Sequence, residues 1–283
     1  MASQRDIRRR IGSVKNIKQI TRAMQFVAAS KLKRAQDATL AARPYSEKLD
    51  EVLADLAAVL SGDDHPLLAE REGGKRLIVL ITTDRPLAGP LNTNIVRFVA
   101  RDIVDNSGDL ALITVGRKGR DAMRRTGVPL EAHFATFGDR PTFADVLPLA
   151  RLVTDDYLAE TYNRVDVVYS HWVSTLVQRP TRLTILPIPP SEDTEGIPGN
   201  QFIFEPNPAA VLEQLLPRYV ATRIFQAVLE AKASEESSRM VAMKNATENA
   251  EELIEDLTLS YNKVRQANIT REMIEIASGA NAR

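Results

Sequence analysis

The stretch that decides the fold runs from Arg218 to Ser278: "RYVATRIFQAVLEAKASEESSRMVAMKNATENAEELIEDLTLSYNKVRQANITREMIEIAS". Its 61 residues contain neither proline nor glycine. A proline in a helix interior costs about 3 kcal/mol, so such a run favours unbroken helix, roughly 90 Å long at 1.5 Å per residue. A compact domain has no use for a rod of that length. The rod carries a narrow stripe of Ala246, Ala250, Leu253, Leu257, Tyr261 and Val264. Beyond it Ile269, Met273, Ile276, Ala277 and Ala280 continue one helix face toward the chain end. With no chain left to cover it, that last stripe requires a partner.

Proline placement divides the rest. Residues 1–65 hold only Pro44, and the other fourteen prolines lie between Pro66 and Pro217. The N-terminal segment opens on a cap, Ser3 with Asp6 three residues on. Apolar or small residues follow at Ile7, Ile11, Val14, Ile17, Ile20, Met24, Ala28, Leu32 and Ala35, the mean spacing of a coiled coil. A kink is expected at Pro44, and a stop at Ser61-Gly62.

Charge is segregated although the net charge is zero. Residues 5–34 balance to +9 and residues 234–258 to −5. Two terminal helices of opposite charge, each with a narrow seam, predict an antiparallel pair. Exposed ion pairs contribute only about 0.2–1 kcal/mol each, so the apolar seam carries most of the stability. Matching the charged segments predicts partners whose residue numbers sum to roughly 266, leaving Gln266–Arg283 as a single helix that frays in the isolated chain.

The middle reads as α/β. "RLIVLITT" (76–83), "LALITVG" (110–116), "VDVVYSHWVS" (165–174) and "RLTILPI" (182–188) are strand-like. "LNTNIVRFVARDIV", "RKGRDAMRRTG" and "TFADVLPLARLVTDDYLAETYN" are helical. The alternation predicts a Rossmann-like domain with a mainly parallel five-stranded sheet. The expected organisation is an N-terminal coiled-coil helix over 1–62, a central α/β domain over 75–206 and a C-terminal coiled-coil helix over 209–283. An irregular stretch, "PIPPSEDTEGIPGN", follows the last strand.

No chemistry-bearing constellation emerges. The first strand is followed by "TTDRPLAGPLN", not by a dinucleotide or P-loop fingerprint, and Pro86 and Pro90 remove donors a phosphate would use. "VGRKGRD" fits a tight turn. His65, His133 and His171 are scattered without metal-ligand spacing, and there is no cysteine. No catalytic, cofactor or metal site is expected. No apolar run is long enough to span a membrane, and "MASQRDIRRR" lacks a signal-peptide core. The basic N-terminal helix leaves open an antiparallel coiled-coil nucleic-acid binder or scaffold, though it lacks interleaved aromatics.

"IRRRIGSVKNIKQITRAMQFVAASKLKRAQ" near the start and "ASEESSRMVAMKNATENAEELIEDLTLSYNKVRQANITREMIEIASGANA" at the end closely resemble the gamma subunits of rotary proton-translocating ATP synthases. "ARPYSE", "TTDRPLAGPLN" and "FEPNPAAVLEQLLPRY" extend the resemblance across the middle. It implies a non-catalytic central-stalk rotor inside a ring of alpha and beta subunits, resting on an epsilon subunit and the membrane c-ring. It implies no nucleic-acid partner, and a place at the cytoplasmic face of a bacterial cell membrane. It assigns Arg265, Gln266 and Thr270, with Met24 and Arg239, to coupling contacts with beta. It makes Ile7, Ile11, Val14, Ile17, Ile20, Leu253, Leu257 and Val264 the coiled-coil seam, and Ile269, Met273, Ile276 and Ala280 a bearing tail. The family often reads "TDRGLCGGLN" where this chain has Pro86, Ala88 and Pro90, so a stiffer loop is expected here.

Overall fold

The computed structural model describes residues 3–59, 65–71, 73–105, 109–189 and 204–280. The stop expected at Ser61-Gly62 and most of the irregular stretch after Pro187 lie outside the described residues. Two compact units are present: Met1–Ala28 with Arg239–Arg283, and Ala29–Ser238.

Within Ala29–Ser238, five strands form one sheet in the order β3-β2-β1-β4-β5. They are β1 (Arg76–Ile81), β2 (Leu110–Val115), β3 (Leu130–Phe134), β4 (Arg164–Trp172) and β5 (Gln178–Leu186). β1 pairs in parallel with β2 and β4, β2 with β3 likewise, and β5 closes on β4 as an antiparallel hairpin. Every residue of β1 and β2 after the first is buried, because helices cover both faces. One face packs Leu77, Val79 and Ile113 beneath α4 (Phe143–Leu158) and parts of the two long helices. The other packs Ile78, Leu80 and Leu112 against Ile95 and Val99 of α2 (Leu91–Asp105) and Met123 of α3 (Arg117–Met123).

β3 is the strand that the apolar runs do not announce. "LEAHF" sits at the sheet edge, mostly half-buried, so it needs little apolar content. α1 (Gln4–Val59) passes without interruption through Pro44, the position of the expected kink. α5 (Pro208–Ala280) begins before the quoted stretch and tolerates Pro217. Its start is conventional. Pro208 occupies the first turn, where a missing N–H costs nothing, and Asn207 Oδ1 accepts the Ala210 N–H at 2.9 Å.

A buried ionic cluster joins α2 to the sheet. Asp102 accepts from Arg76 at 2.7 Å and pairs with Arg182 of β5. Asp166, fully buried on β4, accepts from Arg164 at 3.0 Å and Thr184 at 2.9 Å.

Candidate functional site: the paired terminal helices

In the unit formed by Met1–Ala28 and Arg239–Arg283, α1 and α5 meet along a seam. Three side-chain contacts fix its register. Gln4 Nε2 donates to Tyr261 Oη at 3.2 Å, the Thr21 and Thr247 hydroxyls lie 2.8 Å apart, and Lys18 pairs with Glu251. Partner numbers therefore sum to about 265–269 and the helices run antiparallel, in line with the charge-matched expectation. Met24 falls level with about residue 244, roughly a turn from Arg239. The expected level of Met1 lies outside the described residues.

The seam differs in detail from its apolar forecast. Ile7 is buried, and Ile11 and Val14 are half-buried. Ile17 and Ile20 are 50% and 58% exposed, and Lys18 and Thr21 take the inward positions instead. On α5 Leu253 is exposed and Ile254 is half-buried, as are Leu257 and Val264. The reason is geometric. Inward residues follow strict alternation of four and three steps: 7, 11, 14, 18, 21, 25 and 28 on α1, and 243, 247, 250, 254, 257, 261 and 264 on α5. Following apolar type instead of strict spacing drifts to the neighbouring isoleucines and to Leu253.

Polar seam residues are satisfied rather than stranded. The Thr21 hydroxyl reaches Lys18 O at 3.1 Å and the Thr247 hydroxyl reaches Met243 O at 2.8 Å. Each hydroxyl has one proton, so one donates across the seam while the other keeps its own helix carbonyl. The hydrogen bond from Lys18, with its charge, holds the exposed Glu251 carboxyl below its usual range.

Beyond the seam the helix carries on. Arg265, Gln266, Thr270, Ile269, Met273 and Ile276 are all exposed. The side chain of Ala280 lies outside the described residues. Fraying from Gln266 is not what the structure shows, since α5 runs to Ala280. Extending a helix already nucleated along a paired segment avoids the cost of starting one.

At the carboxyl edge of the sheet, where open α/β folds bind ligands, the donors are already engaged. The N–H groups of Arg117 and Gly119 donate to Asp84 Oδ1 and Thr82 Oγ1, both at 2.8 Å, and that of Lys118 donates to Thr83 O at 3.1 Å. Asp84 thus stands where an anion would. Burial works to raise its pKa, but bonds from Thr136 and Arg117 outweigh burial and hold it below the usual range. Val228, Ala231 and Lys232 of α5 help close the crevice to a cavity of about 30 Å³. Gly116 makes the turn into α3 at φ 91°, and a Cβ there would meet Thr82 O at 2.4 Å. Gly116→Ala is expected to cost about 2–3 kcal/mol, read as a lower denaturant midpoint with unchanged m; a midpoint equal to the parent's would refute the turn assignment.

After Thr83 the loop carries Leu87 at φ 68° and Gly89 at φ 53°, between Pro86 and Pro90. No helix among the described residues is long and apolar enough to cross a membrane.

A family profile described as ATP synthase matches residues 3–282. The ATP synthase gamma chain of Roseiflexus castenholzii is 50% identical over 289 residues, covering 100% of this chain and 99% of that protein. The gamma chain of Desulforamulus reducens is 48% identical, with the same coverage. Among solved structures, a chain of the Euglena gracilis mitochondrial ATP synthase, in a cryo-EM structure of OSCP/F1/c-ring in rotational state 3, superposes with a TM-score of 0.72. That match has 25% identity and covers 99% of this chain and 94% of the other. Full-length identity near one half, with a family profile that matches residues 3–282, places this chain in the ATP synthase gamma chain family.

Proposed function

We propose that this chain is the central-stalk rotor of an ATP synthase, carrying rotation between a membrane ion-driven c-ring and a catalytic alpha/beta ring. It couples proton flow to ATP synthesis or hydrolysis as a non-catalytic subunit. The carrying observation is the antiparallel seam of two terminal helices, held in register at Gln4–Tyr261, Lys18–Glu251 and Thr21–Thr247, within a chain of the gamma family. The bond-making chemistry then belongs to the beta subunits. Alpha, beta, epsilon and the c-ring are its partners, and it works peripherally at the cytoplasmic face of the cell membrane. Family membership displaces the nucleic-acid-binding or scaffold alternative. Co-expression tests the reading: the chain should purify stoichiometrically with two nucleotide-binding subunits. A chain that stays alone and instead binds nucleic acid with a steep salt dependence would overturn it.

In this reading Arg265, Gln266 and Thr270, exposed on α5 outside the seam, engage beta, with half-buried Met24 contributing further along the shaft; Arg239, expected beside it, is 8% exposed and has little surface left for beta. Ile269, Met273, Ile276 and Ala280 are the bearing face, covered by the ring's inner sleeve. Arg265→Ala with Gln266→Ala is expected to lower steady-state ATP turnover of the complex at least about threefold, near 0.7 kcal/mol of barrier, with the melting temperature of the isolated chain unchanged. Parental turnover and coupling would remove the assignment.

A further inference from the structure

"KASEESS", Lys232–Ser238, lies in the interior of α5, and from Ser234 through Arg239 every residue is polar and buried, the longest such run on that helix among the described residues. Ser234 and Ser237 are 0% exposed and Ser238 6%. A serine or threonine in mid-helix commonly turns its hydroxyl back to the carbonyl four residues earlier. Thr39, Thr222 and Thr258 do this, at 2.9, 2.8 and 2.7 Å. The three serines do not. Ser234 Oγ donates to Ser170 O at 2.7 Å, Ser237 Oγ to Thr175 O at 2.8 Å, and Ser238 Oγ to Ala88 O at 2.7 Å. These carbonyls belong to the end of β4, the β4–β5 turn and the loop after β1. Lys232 adds an ion pair to Asp139, in the loop after β3, at 3.5 Å, and Lys31 of α1 reaches the same carboxylate at 2.6 Å.

Serine is the smallest side chain that carries a donor, so the sheet edge approaches the helix closely while its carbonyls are still satisfied. The two kinds of contact here respond differently to shear. Apolar burial is non-directional, so a helix held by it alone can roll as side chains change rotamer. A hydrogen bond weakens steeply away from linearity, so it resists rolling. We propose that Ser234, Ser237 and Ser238 are torque-bearing positioning residues that lock this segment of α5 to the carboxyl edge of the sheet, so that helix and α/β unit turn as one body. The proposal rests on the rotor reading above and adds the residues through which load passes.

The test uses the complete ATP synthase carrying Ser234→Ala, Ser237→Ala and Ser238→Ala together, with Thr258→Ala as control. ATP hydrolysis should stay within about twofold of the parent, while protons pumped per ATP fall at least about twofold. With the alpha/beta ring fixed, the angular variance of a probe on the α/β unit should at least double. The control should match the parent throughout. Parental pumping stoichiometry and angular variance in the triple variant would overturn the proposal while leaving the rotor reading intact. Failure of the parent chain itself to assemble would instead count against the rotor reading. If the triple variant does not assemble, the single variants are measured in the same way. Should no single variant assemble either, the serines serve folding alone and the proposal fails.

Discussion

Asp102→Ala lowers the unfolding free energy of the isolated chain by about 3–5 kcal/mol, because it removes the carboxylate that pairs with Arg182 and leaves Arg76 only the more distant Asp166, at 3.8 Å. Asp102 is 7% exposed and faces Arg76 of β1 and Arg182 of β5, both largely covered. Arg182 also lies over the Phe98 ring at 5.9 Å, so its position is constrained from two sides. Burial on its own would raise the Asp102 pKa, but hydrogen bonds from Arg182 and Arg76 outweigh burial and hold it below the usual carboxylate range. A group whose folded pKa is depressed contributes stability above its unfolded value and loses it as pH falls through the folded one. The gap between parent and variant is therefore full at pH 7 and narrows below about pH 4. Urea titrations at both pH values measure it. A gap under about 1 kcal/mol at pH 7, or one that widens in acid, would contradict the cluster's role.

Ala28→Asp abolishes the paired-helix packing at its position, whereas Val27→Asp, one residue earlier, is nearly silent in the isolated chain. Ala28 is 1% exposed and Val27 55%. An unpaired carboxylate at a buried site costs several kcal/mol, while a change at an exposed site usually stays within about 0.5 kcal/mol. Helical content and melting temperature of the two variants distinguish them. Equal effects would mean that α1 does not present Ala28 inward. An apolar-to-charged exchange looks more drastic at Val27 than a small-to-charged exchange at Ala28. The opposite outcome is expected because register, not residue type, decides what is buried.

That same distinction explains what was legible in the sequence. The long helices could be read from where proline is missing, because one residue type with a large helix cost is easy to see. The antiparallel register could be read from charge, since +9 on one segment and −5 on the other allow few alignments. The central α/β architecture followed from alternating apolar runs, and β3 did not, because a half-buried edge strand needs no such run. The seam was misread at Ile17, Ile20 and Leu253, where exposed apolar residues sit beside inward polar ones. Strict four-three spacing would have found Lys18, Thr21 and Ile254. The buried serines of α5 were invisible for another reason. Three serines among glutamates read as a solvated helix face, and only the three-dimensional sheet edge reveals that their hydroxyls have carbonyls to reach.

The central claim is that this chain turns as a shaft. The most direct measurement fixes an alpha/beta ring assembled with this chain to a surface, attaches a probe to the α/β unit, and follows its angle on adding ATP. The rotor account predicts sustained one-way rotation whose rate rises and falls with ATP hydrolysis. Hydrolysis at the normal rate while the probe shows only back-and-forth Brownian motion would contradict it.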